Sequence, residues 1–142
     1  MDTTTPPPIT QPPPPTEQRV RVGPIIRDVV IVWVLTAMGG FVAGVATGGP
    51  ERDAQRFMLA VAASNLLLGT VGFTIAGCLS PPGRWRHLSV VAVGVWLAGL
   101  INVAFVGVTI PQWIGSVIFI AIIMGIGGAL SYVFKRDSKP SA

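Results

Sequence analysis

Residues 88–134 read LSVVAVGVWLAGLINVAFVGVTIPQWIGSVIFIAIIMGIGGALSYVF, 47 residues without an Asp, Glu, Lys or Arg. A buried helix of a soluble domain ends in polar caps after a dozen or so residues. About 20 apolar residues instead cross a bilayer as helix. The run is too long for one crossing and carries its own divider, Thr109-Ile110-Pro111-Gln112. Proline suits the first turn of a helix and disfavours helix at the residue before it. The run therefore predicts two spans, about 88–108 and 112–134.

Upstream, residues 29–50 and 57–83 are also free of Asp, Glu, Lys and Arg. They predict two more spans, about 25–48 and 57–79. Gly48-Gly49-Pro50 and the polar segment 51–56 break the first pair, and Ser80-Pro81-Pro82-Gly83 ends the second span. The fold expected is all-α: an integral membrane protein with a four-helix transmembrane domain over 25–134. Of the 142 residues 51% are hydrophobic and 11% charged, against roughly 25% charged in ordinary soluble domains. A soluble enzyme, a nucleic-acid-binding domain and a disulfide-stapled secreted domain are excluded on that ground. The single Cys makes no internal disulfide.

Residues 1–24 form a separate region. Seven of the first fifteen residues are Pro, so the segment has little to bury and few amide donors. It reads as a disordered, locally polyproline II tail; a ligand for a proline-recognising domain is the alternative. Residues 135–142 form a short basic tail. A signal-peptide reading of the first apolar run is disfavoured by its long Pro-rich flank and by a length sufficient to span.

Orientation follows from the basic residues. Arg19, Arg21 and Arg27 precede span one, Arg84 and Arg86 lie between spans two and three, and Lys135, Arg136 and Lys139 follow span four. With four spans these fall on one side. The other side has only Arg52 and Arg56, offset by Glu51 and Asp53. Both termini are expected in the cytoplasm. Trp85, Tyr132 and Trp113 fall near span ends, where amphipathic rings favour the interface. Eight Arg to two Lys, with abundant Ala, Val and Gly, points to a bacterial cytoplasmic membrane.

Inside lipid, helix association relies on close backbone packing, which small residues permit. Gly40, Gly44 and Gly48 in span one, Gly69 and Gly72 in span two, Gly99 in span three, and Gly125 and Gly128 in span four are expected at helix contacts. Asn65 and Asn102 come out at similar depths in neighbouring spans. They are expected to form an interhelical hydrogen bond, or else to line a path for a small solute or ion. Mid-span Ser and Thr can return their hydroxyls to the helix backbone. Arg27 and Asp28 read as an interfacial anchor pair pointing in different directions, with Asp28 reaching Arg84 or Arg86 as the alternative. His87 reads as an interface residue and Cys78 as a packed small hydrophobe.

No family resemblance is carried by these residues. The mid-span glutamate of small multidrug resistance transporters has no counterpart in span one, and the Thr–Phe run of fluoride channels is missing from span three. No catalytic, cofactor or metal set is expected. The functional expectation is a non-enzymatic subunit, scaffold or stabiliser working through glycine-mediated helix packing. The alternative is a small oligomeric channel or transporter with Asn65 and Asn102 lining the path. Expected partners are the bilayer and a membrane protein or further copies of the chain, and no nucleic acid.

Overall fold

A computed structural model of the chain describes residues 22–80, 82–105 and 107–136. The Pro-rich region up to residue 21, including Arg19 and Arg21, and the tail beyond Arg136 lie outside the described residues. The described chain forms α1 (Val22–Thr47), α2 (Ala54–Leu79), α3 (Arg84–Ala98), a short α4 (Leu100–Phe105) and α5 (Ile110–Arg136). Among the described residues there is no strand. Gly99 keeps a right-handed helical conformation between α3 and α4, so the two act as one run. The four resulting runs are each long and apolar enough to cross a membrane.

Several helices extend past the apolar limits read from the sequence. α2 starts at Ala54, three residues before Phe57, because the Asp53 carboxylate accepts the Arg56 amide at 2.9 Å and caps the first turn. α3 starts at Arg84, four residues before Leu88, once Gly83 has turned the chain at φ 93°. α5 starts at Ile110. Gln112 Oε1 accepts from both the amide and the hydroxyl of Thr109, each at 3.0 Å, the reaching-back half of a capping box. The third run stops at Phe105, short of Val108, and Gly107 turns at φ 80°. Apolarity marks the hydrocarbon layer, whereas a helix of 26 residues is about 39 Å long and overruns a layer of about 30 Å.

Four runs stand at the corners of a flattened bundle. α1 and α5 each pack against both α2 and α3, and α2 and α3 also meet lightly across the short diagonal. Among the described residues the backbones of α1 and α5 make no close approach. One row per helix makes the core: Val32 from α1, Phe73 and Ala76 from α2, Leu88, Val91 and Val95 from α3, and Ile123 from α5. Most large apolar side chains point outward instead, among them Phe41, Leu67, Phe105 and Ile118. Monomeric soluble proteins rarely leave contiguous apolar surface of this extent to water.

Candidate functional site: the polar end and the helix contacts

The start of α1, the α2–α3 turn and the end of α5 gather at one end of the bundle. Asp28 lies six residues into α1 and is fully buried. His87, in the first turn of α3, meets its Oδ2 through Nε2 at 2.8 Å, and Arg27 donates Nε to its Oδ1 at 2.7 Å. The His87 side chain is itself only 8% exposed, whereas that of Arg27 is 47% exposed. The carboxylate is thus the centre of a clasp between α1 and α3, with both oxygens engaged. This corrects the interfacial-anchor reading. Arg27 and Asp28 leave the helix at different angles, but the long arginine side chain folds back to its neighbour. Asp28 bonds to neither Arg84 nor Arg86.

A second polar link joins α3 to α5. Arg84 donates Nη1 to Ser131 Oγ at 3.0 Å, and its guanidinium lies 3.9 Å from the Tyr132 ring centre. Ser131 is fully buried and donates its hydroxyl to the Gly128 carbonyl at 2.7 Å. Cys78 Sγ faces the Ser131 carbonyl at 3.9 Å. Gly77 makes room for this arrangement, because a Cβ there would stand 2.5 Å from Ser131 Oγ.

At the opposite end α3 and α5 are joined by two tryptophans. Trp96 and Trp113 stack with ring centres 4.1 Å apart and planes 12° from parallel. Trp96 Nε1 donates to the Trp113 carbonyl at 3.1 Å, and Trp113 Nε1 donates to the Trp96 carbonyl at 2.9 Å. Both indole donors are satisfied without water, which suits an apolar surround. Sequence position places Trp113 at a span edge but gives no sign that it pairs with Trp96, seventeen residues away.

The glycines divide into three groups. At Gly69, Gly72 and Gly128 an added Cβ would meet Ile123 at 3.0 Å, Val32 at 3.1 Å and Trp85 at 2.9 Å respectively. Four glycines outside the expected set are as tight or tighter: Gly39 against Ser64, Gly77 against Ser131, Gly94 against Val29, and Gly127 against Phe73 and the Thr70 carbonyl. Gly99 crowds the Trp96 carbonyl and flanks the Trp113 ring. Gly44 only brushes Phe57 at 3.8 Å, and Gly48 sits in the turn after α1 at φ 76°. Gly40 and Gly125 have nothing within 4 Å. The α1 face turned inward carries Asp28, Val32, Gly39 and Ala43, so the stripe through Gly40, Gly44 and Gly48 lies off the contact.

The two asparagines are not brought together. Asn102 is exposed on α4, and α4 does not contact α2, which carries Asn65. Asn65 Oδ1 is buried without a hydrogen-bond partner. Spans two and three follow one another in the chain, but α2 packs mainly on α1 and α5. Thr36, Thr74 and Ser116 return their hydroxyls to backbone carbonyls of the preceding turn. Among the described residues no three of His, Cys, Asp and Glu gather as for a metal ion.

These features define a class, a four-helix bundle with an apolar exterior suited to a multi-pass membrane protein. No family model, curated protein or solved structure matches the chain.

Proposed function

We propose that the chain is a non-enzymatic protein of the bacterial cytoplasmic membrane, with both termini cytoplasmic, that works by lateral helix association as a subunit, scaffold or stabiliser of a larger membrane assembly. One observation carries this reading: Gly40 on α1 and Gly115 and Gly125 on α5 have open space where a Cβ would stand. These are the two helices at the far corners of the bundle. A glycine in a helix interior costs roughly 1 kcal/mol against alanine in water, and here no intrachain contact uses the space it leaves. On α5 the two open glycines share a side with the outward-facing Ile118, Ile122 and Ala129. A second helix backbone can approach closely along such a strip.

Particle mass in mild detergent tests the reading. The wild-type chain is expected in an assembly larger than one copy, of itself or with a second protein. Gly40→Leu and Gly125→Leu are expected to release single chains of unchanged thermal midpoint. Wild-type protein that is purely monomeric, or variants that remain assembled, would contradict it. The second reading, a small oligomeric channel, draws support from the unpartnered Asn65 oxygen and none from the exposed Asn102; solute flux in liposomes containing the wild-type chain separates the two.

A further inference from the structure

The ends of the bundle differ in charge. Among the described residues the Asp28 end holds Arg27, Arg84 and Arg86 against one carboxylate, that of Asp28. That carboxylate is consumed by Arg27 and His87, so it neutralises neither Arg84 nor Arg86. At the other end Arg52 and Arg56 are matched by Glu51 and Asp53.

Arg84 and Arg86 are presented differently. Arg84 is held by neutral partners, the Ser131 hydroxyl and the Tyr132 ring. One of its five N–H donors is used there, and among the described residues no carboxylate pairs with the rest. Arg86 is exposed and has no hydrogen bond or ion pair among the described residues. The two lie about 200° apart around α3, with Arg84 at the α3–α5 seam. Trp85 and Tyr132, both about half exposed, sit beside them with ring centres 6.4 Å apart. Amphipathic rings take that position at a headgroup layer, so the unmatched cations and the aromatic rim mark the same level.

We infer that the first turn of α3, with Arg84 and Arg86 flanked by Trp85 and Tyr132, is a docking surface for the phosphate groups of anionic phospholipids. The guanidinium fork matches phosphate oxygens in a bidentate manner that an ammonium does not. Arg84, fixed at the seam, holds one headgroup against α5, and Arg86 takes another on the open side of α3. The surface rests on the bundle spanning a bilayer. It is independent of which helix faces associate with a partner, and binding in micelles does not depend on orientation in the membrane.

The test is lipid retention by the full-length protein in neutral detergent, comparing phosphatidylglycerol, phosphatidylcholine and inorganic phosphate. Wild-type protein is expected to retain phosphatidylglycerol in preference to phosphatidylcholine. Arg86→Gln and Arg84→Gln are each expected to weaken that retention about fivefold, from the usual contribution of one basic side chain at an anionic surface. Arg56→Gln, at the other end, is expected to leave it unchanged. Arg86 is exposed and makes no hydrogen bond or ion pair among the described residues, so its loss is read without loss of fold. Equal retention of the two lipids, retention unaffected by both α3 substitutions, or an equal loss in Arg56→Gln would overturn the inference. Displacement of the lipid by millimolar inorganic phosphate would also overturn it, as it would show an anion site rather than a lipid surface.

Discussion

Replacing His87 with Ala removes the donor to Asp28 Oδ2 and leaves that oxygen buried with no partner. Stranding a buried polar atom costs about 1–3 kcal/mol, and more when the group is charged. Arg27 still holds Oδ1 at 2.7 Å, so the carboxylate keeps one charged partner and the upper range is not reached. About 3 kcal/mol is expected for His87→Ala, including lost packing of the imidazole. Asp28→Ala removes the acceptor and frees both donors; about 2 kcal/mol is expected. Once Asp28 is gone, losing His87 strands nothing. The double variant should therefore fall about 2 kcal/mol short of the sum of the singles, a coupling in the range seen for residues sharing a buried network. The assay is unfolding in mixed micelles, followed by near-ultraviolet circular dichroism on all four proteins. Additive effects within about 0.5 kcal/mol would show that the carboxylate and imidazole do not form a buried pair, and the α1–α3 clasp would be wrong.

Gly127→Leu and Gly72→Leu should lower stability by about 1–3 kcal/mol through overpacking, while Gly40→Leu and Ile122→Leu should leave the thermal midpoint of the single chain in place. Trp96→Phe keeps a ring but loses the donor to the Trp113 carbonyl; the near-ultraviolet signal of the stacked indoles should vanish, and an unchanged signal would rule out the stack. Deleting residues 2–16 should leave helical content and insertion as in the full chain, and degradation of the shortened protein would show that the tail has a structural role.

Element number and type were legible because uncharged runs of 22, 27 and 47 residues can be satisfied in few ways. Helix ends were less so: Asp53 and Gln112 cap α2 and α5 through side-chain bonds that hydropathy does not register. The inner faces were the hardest to read. In a soluble helix a polar face marks the outside, but here Phe41 outward and Val32 inward are equally apolar. The neighbouring Gly39 and Gly40 differ by about 100° on the helix, and nothing local says that Gly39 meets Ser64 while Gly40 meets nothing. Asn65 and Asn102 came apart for another reason: consecutive spans need not be packed neighbours, and α2 packs mainly on α1 and α5. Asp28 did leave a trace, as a lone acid at the edge of a long uncharged run. Its partner His87 lies 59 positions away, and only the packing of α1 against α3 reveals it.

The direct test of a four-span bundle with its arginine-rich end in the cytoplasm is a pair of topology reporters active only outside the cytoplasm. Placed between Glu51 and Arg56, in the turn joining α1 to α2 at the tryptophan end, the reporter should be active. Fused after Ala142 it should be silent. Strong activity from the fusion after Ala142 would contradict the four-span arrangement with both ends inside, and with it the assignment of the Asp28 end to the cytoplasmic leaflet.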